Sequence, residues 1–126
     1  MSLNPQQTYV HLADSGAARE LPGGDAFWRL PEAEMDSCGS GWLVTEFAFT
    51  ADWPNWEMHP HADEFVYLLS GAMELHLEEA TGLRKVALEG SGAVVVPRGV
   101  WHTGKVLAPS RMLHVTRGEG TQQRPA

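Results

Sequence analysis

The chain has a single cysteine, Cys38, in 126 residues, which excludes an internal disulfide framework. It lies in Asp36-Ser37-Cys38-Gly39-Ser40-Gly41, a stretch that reads as a loop, with no base beside the thiol to activate it. Positive charge is also scarce: nine Lys and Arg stand against sixteen Asp and Glu, a formal charge of −7. Such a surface repels nucleic acid and anionic membrane, so neither is an expected partner. No apolar run approaches the length of a membrane span, and Met-Ser-Leu-Asn-Pro-Gln-Gln at the start has neither a basic end nor a hydrophobic stretch. A cytoplasmic location is the resulting expectation. Long amphipathic helices are missing too, and the length suits one domain with one core.

What the chain does have is many short apolar segments stopped by Gly, Pro, Asp or Ser. From Trp42 to Thr50, Leu43, Thr45, Phe47 and Phe49 alternate with Trp42, Val44, Glu46 and Ala48, as in a strand with at least one apolar face. Phe65 to Leu69 is almost wholly apolar, as in a strand covered on both sides, and Ser70-Gly71 reads as the turn after it. Met73, Leu75 and Leu77 then alternate with Glu74, His76 and Glu78, which assigns those three polar residues to a solvated outer face. Thr81-Gly82 closes a hairpin into Arg84 to Leu88, Gly90-Ser91-Gly92 turns again, and Ala93 to Val96 enters the core. Arg111 to Thr116 is the last strand expected, with His114 read as a hydrogen-bonded strand residue. The pattern predicts an all-β barrel or sandwich.

The ends are less legible. In residues 1–41, Thr8 to Leu12 and Phe27 to Leu30 read as short strands separated by Gly16, Pro22, Gly23 and Gly24, with His11 a surface or strand residue. Phe27 and Trp28 argue against a disordered arm. From Gly118 onward the chain is polar and reads as a loose tail, residues 118–126.

Polarity concentrates in one place. Within Trp56 to Gly71, four groups able to bind a metal, Glu57, His59, His61 and Glu64, fall in eight residues directly before an apolar strand. In an extended segment Glu57, His59 and His61 share a face, and Pro60 marks where the strand gives out. A second polar island, Pro97-Arg98-Gly99-Val100-Trp101-His102, follows Ala93 to Val96 and offers another imidazole. A lone histidine among apolar residues is ordinarily structural. Two segments that both end strands and supply His and Glu together point to one site instead, with donors suited to zinc, iron, manganese, nickel or copper.

These residues resemble the cupin superfamily. Its first motif runs Gly, five residues, His-x-His, three or four residues, Glu, six residues, Gly; its second ends Pro-x-Gly-x-x-His. Glu64 and Gly71 keep the six-residue gap, and Pro97, Gly99 and His102 match the second motif. Counting back four residues from Glu64 places His59 at the second histidine and Glu57 at the first, so Glu57-x-His59 stands for His-x-His. The rival register, His59-x-His61, leaves only two residues before Glu64, which is short for the family. The resemblance thus implies Glu57, His59, Glu64 and His102 as metal ligands, with His61 a neighbour or an alternative to Glu57. Ala51 replaces the leading glycine, the gap from Gly90 to Pro97 is one longer than usual, and Val106 stands where an Asn is expected. The likeness covers roughly residues 40–117 and implies a jelly roll: a cupin barrel over 42–117, a partly irregular extension over 1–41 packed on the barrel or on a partner subunit, and the tail.

A cupin site of this composition implies a divalent transition metal. Two imidazoles and two carboxylates suit manganese or iron(II), with nickel or zinc acceptable in a purified sample. The expectation is a metal-dependent dioxygenase or isomerase acting on a small oxygen-rich molecule, with Glu64 or Glu57 as general base if its surroundings raise its pKa. A non-catalytic cupin that binds or senses a small molecule is the alternative, because cupins host many chemistries. Trp42, Trp53, Trp56 and Trp101 lie beside the motif segments and serve either as a substrate wall or as packing and dimer contacts. Exposed strand edges and an apolar, tryptophan-rich face make a homodimer the expected assembly.

Overall fold

A computed structural model describes residues 2–126. The chain runs β1 (Thr8–Leu12), β2 (Ala18–Pro22), α1 (Asp25–Trp28), α2 (Glu32–Ser37), β3 (Trp42–Phe49), β4 (Asn55–Met58), β5 (Glu64–Glu79), β6 (Gly82–Glu89), β7 (Ala93–Val96), β8 (Trp101–Thr116) and β9 (Gln122–Pro125). Two strands of 16 residues, β5 and β8, pair antiparallel along most of their length and bend together, so each serves two layers. One layer is ordered β2-β1-β3-β8-β5-β7 and uses the C-terminal half of β8 with the N-terminal half of β5. The other is ordered β6-β5-β8-β4-β9 and uses the opposite halves. This is an all-β jelly roll.

The bend falls where a turn is predicted at Ser70-Gly71. The strand does not end there; register shifts between Leu68 and Met73 bulge it and re-aim it into the second layer. Gly71 permits this, because its φ is +95° and a Cβ would lie 2.4 Å from the Pro109 carbonyl oxygen. Beyond the bulge, alternation holds: Met73, Leu75 and Leu77 are fully buried, and His76 and Glu74 hydrogen-bond to each other away from the core. With Val66, Leu68, Leu88, Val96, Met112 and Trp53 they form the main core.

The N-terminal residues form more structure than alternation suggests. Thr8–Leu12 is β1, but a second strand, β2, pairs with it, and residues 25–28 form a helical turn rather than a strand. Gly24, at a φ of +63°, turns the chain, and the Phe27 N–H donates to the Gly24 carbonyl at 3.1 Å, which begins a helical turn in place of an extended run. Tyr9, Leu21, Phe27 and Cys38 make a second apolar cluster that closes against Leu43 and Phe47 of β3. Cys38 therefore ends α2 buried rather than lying in an open loop, and its thiol donates to the Glu34 carbonyl at 3.2 Å. His11 is a buried strand residue, its Nε2 2.5 Å from the Ser40 carbonyl. The polar C-terminal stretch is not loose along its length, since Gln122–Pro125 pairs with β4 as β9.

Candidate metal centre

Each candidate ligand is placed by backbone pairing. Glu57 on β4 lies directly opposite His102 on β8. His59 follows just beyond β4, and its carbonyl accepts the Gly99 N–H at 2.9 Å. That one bond ties the first polar segment to the Pro97–Gly99 turn, whose Gly99 has φ of +77°. Glu64 opens β5 opposite Val96 on β7 and points inward like Val66 and Leu68 after it.

The four groups meet. Glu64 Oε1 lies 3.2 Å from His102 Nε2, and its Oε2 lies 3.4 Å from His59 Nε2. Glu57 Oε2 is 3.8 Å from His59 Nε2, and Glu57, His59 and His102 each offer a donor atom within 4.8 Å of the others. His61 is exposed and turned toward Gly120, away from this group. Glu57, and not His61, is the residue grouped with His59 and His102.

Three of the converging atoms, His59 Nε2, His102 Nε2 and Glu64 Oε1, are buried and without a hydrogen-bond partner among the described residues. Buried polar atoms are rarely left so. The other nitrogens are engaged: His59 Nδ1 is 2.8 Å from Thr121 Oγ1, and His102 Nδ1 is 3.2 Å from the Val100 carbonyl. Thr121 donates its own hydroxyl proton to the Gly118 carbonyl, so it accepts from His59 Nδ1–H. The Nδ1 bonds thereby fix both rings with Nε2 aimed at Glu64, a nitrogen that carries a proton in the charged imidazole and offers a lone pair once that proton leaves. A donor set of this kind, converging and unsatisfied, fits a divalent metal ion.

The electrostatics single out Glu64 and His102. Burial alone would push Glu64 up, but His102, His114 and His59 around it hold its carboxyl well below the ordinary range. Thr116 Oγ1 also donates to its Oε2 at 2.6 Å. His102 is pulled down by burial and pushed up more strongly by Glu64, the Val100 carbonyl and Glu57, so it stands above the usual imidazole value. Glu57 is a third exposed, accepts from Gln123 Nε2 at 3.2 Å, and borders a cavity of about 570 Å³.

Sequence reasoning did not pick out Thr116, Thr121 or Gln123, and it favoured an ordinary strand role for His114. His114 lines the cavity with Nδ1 3.7 Å from Glu64 Oε2, while its Nε2 is buried without a partner. The signal was its register: His114 sits across from Val66, a residue of the core face. Of the four tryptophans beside the motifs, only Trp53 lines the cavity. Trp56 and Trp101 hold the Arg124 guanidinium 5.3 and 4.5 Å from their ring centres, a packing role.

No protein-family model matches the sequence, and no curated protein matches it. Solved structures do. A cupin-2 domain-containing protein of Shewanella frigidimarina is 15% identical, with a TM-score of 0.52 over 60% of this chain and 69% of that one. The hydroquinone 1,2-dioxygenase of Sphingomonas sp. TTNP3, solved with 4-hydroxybenzoate bound, is 17% identical, with a TM-score of 0.51 over 61% of this chain and 60% of that one. Fe(II)-HppE, solved with an alternative substrate, is 14% identical, with a TM-score of 0.50 over 60% of this chain and 42% of that one. This chain therefore spans less than two thirds of the dioxygenase and less than half of HppE. At these identities the likeness is one of fold, and the chemistry of each belongs to that protein.

Proposed function

We propose that this chain, which has the cupin jelly-roll fold, is a metal-dependent enzyme of the oxygenase or isomerase type that acts on a small molecule held inside the barrel. The observation that carries the reading is the convergence of His59 Nε2, His102 Nε2 and Glu64 Oε1, buried and unpartnered, beside Glu57. Those four residues would hold iron, manganese, nickel or zinc. When bound, such an ion supplies Lewis acidity and open positions for substrate oxygens. The protein does the rest. Thr121 and Val100 fix the imidazoles, and a mainly apolar cavity wall lies beside them.

A catalytic role for Glu64 as base requires its pKa to rise, and its surroundings do the opposite. Glu64 therefore stays ionised as a ligand. Glu57, partly exposed at the cavity, takes the proton-moving role, with Gln123 holding one of its oxygens. A second copy of the chain is the proposed partner, docked through the outer face of the first layer.

The test is element-specific metal analysis of protein purified without a metal-affinity tag. Glu57→Ala, His59→Ala, Glu64→Ala and His102→Ala each lose most of the bound metal, whereas His61→Ala keeps it. Equal loss at His61 with none at Glu57 would overturn the ligand set. Thermal stabilisation by small molecules without turnover in the metal-loaded protein would move the reading to a binding module.

A further inference from the structure

The cavity beside the metal centre is not walled for an oxygen-rich molecule. Its long side is a continuous aromatic series: Phe27 to Tyr9 at 5.3 Å between ring centres, Tyr9 to Phe47 at 5.8 Å, Phe47 to Phe49 at 6.0 Å and Phe49 to Trp53 at 5.3 Å. The series ends at His114, 5.9 Å from Trp53 and next to Glu64. Leu43 and Met35 add to the apolar wall. Polar side chains gather at the other end, where Glu57, His59, Glu64 and Thr121 stand. A sugar or small hydroxyacid placed along this wall would leave hydroxyls desolvated and without partners, which opposes binding.

The wall is also unusual in origin. Tyr9, Phe27, Met35 and Cys38 come from the segment preceding β3, so the N-terminal extension makes one side of the chamber. Its apolar cluster is buried even though it borders open volume. At about 570 Å³ the chamber exceeds what a two- or three-carbon acid fills and lies within the range of pockets that hold ring-bearing ligands.

We infer that the ligand of this site is amphipathic: an aromatic or other planar ring body lying against the Phe27–Tyr9–Phe47–Phe49–Trp53 wall, with an oxygen-bearing head directed at Glu57, His59 and Glu64. The placement of the head rests on the metal-centre reading; the ring preference rests on the wall alone. The rings tilt against one another along this series, with Tyr9 and Phe47 meeting edge-on at 67°, and a planar ligand extends that packing. Specificity for the body comes from area removed from water, and specificity for the head from the few polar groups at the far end.

The experiment compares three probes on the zinc-loaded protein by titration calorimetry: phenylpyruvate, pyruvate and glucose. Phenylpyruvate and pyruvate share one head and differ by the ring. Burial of the ring should make phenylpyruvate tighter by about ten-fold to a hundred-fold, and glucose should not bind. Leu43→Trp, which fills the chamber, should abolish that difference while leaving zinc binding intact; Phe47→Leu, which removes one ring without overfilling, should reduce it. The same probes are then followed by tryptophan fluorescence in chelator-treated protein. A ring preference that persists there while zinc fails to bind would defeat the metal reading and leave the wall's role standing. Pyruvate binding as tightly as phenylpyruvate, glucose binding best, or no binding of any probe to zinc-loaded protein would overturn the inference.

Discussion

His102 and Glu64 face each other at 3.2 Å where water hardly reaches, and each favours the charged form of the other. The consequences for the metal-free protein follow from the two shifts. Glu64 has a folded pKa below its ordinary 4.5, so its contribution to stability is fully present above that value and is lost as pH falls through the lowered folded value. His102 has a folded pKa above its ordinary 6.5, so its contribution is fully present below 6.5 and is lost as pH rises through the raised value. Together they stabilise the metal-free fold most between these two ordinary values. Thermal melts of chelator-treated protein against pH should therefore show a larger difference between wild type and His102→Gln inside that window than at pH 8. A difference that grows toward alkaline pH would contradict the pairing. Metal binding runs the other way, because it displaces the proton on His102; occupancy should rise with pH, and uptake near neutrality should release protons, read as a buffer-dependent heat.

At the scale of elements, the strand that matters most for the site is the one sequence alternation does not reveal. β9 lies along β4 and brings Thr121 and Gln123 against His59 and Glu57. It is held by Arg124, which sits between Trp56 and Trp101 and pairs with Glu78. Removing the acceptor on His59 should loosen the ring's orientation without touching the core. Thr121→Val is expected to weaken metal binding by about ten-fold or more, with an unchanged melting temperature of the metal-free protein, and Thr121→Ser to restore it. Arg124→Ala should reproduce part of the loss and raise amide exchange over residues 122–125. A normal affinity in Thr121→Val would show that the hydroxyl does not position His59. The contrast with β5 is instructive. The alternation of Met73 to Leu77 was legible, because a buried sheet face demands it, whereas Phe65 to Leu69 read as covered on both sides and Phe65 is in fact 41% exposed. The passage of β5 through Gly71 was not legible, because a bulge and a turn share the same glycine signal and only the cross-strand partner Pro109 distinguishes them. The short polar β9 gave no signal for a similar reason: it is held by pairing with β4 and by Arg124 against two tryptophans far away in sequence, not by an apolar alternation of its own.

At the scale of the whole molecule, one face has no partner among the described residues. Across the outside of the first layer, Val10, Val44, Val115, Phe65 and Val95 stand in register on five successive strands. Phe65 is 41% exposed and Val95 53%, and Tyr67 stacks beside Phe65. Single exposed apolar residues need no explanation, but an aligned row of them across a sheet does. Covering it with an identical face is the simplest closure, since a two-fold axis needs only one self-complementary patch. The formal charge of −7 per chain does not oppose this, because the row itself carries no charge and the nearest buried carboxylate, Glu46, is paired with Arg111 at 2.9 Å. The chain of 13.8 kDa should therefore run in light scattering at twice that mass. Phe65→Glu should drive it toward the monomer by placing like charges against each other across the axis, while the metal centre, on the opposite side of the sheet, keeps its affinity. A monomer mass for the wild type that does not change with concentration would refute the dimer. A Phe65→Glu protein that stayed dimeric would move the interface to another face, and the exposed edge of β7, which among the described residues pairs only with β5, would be the next to test.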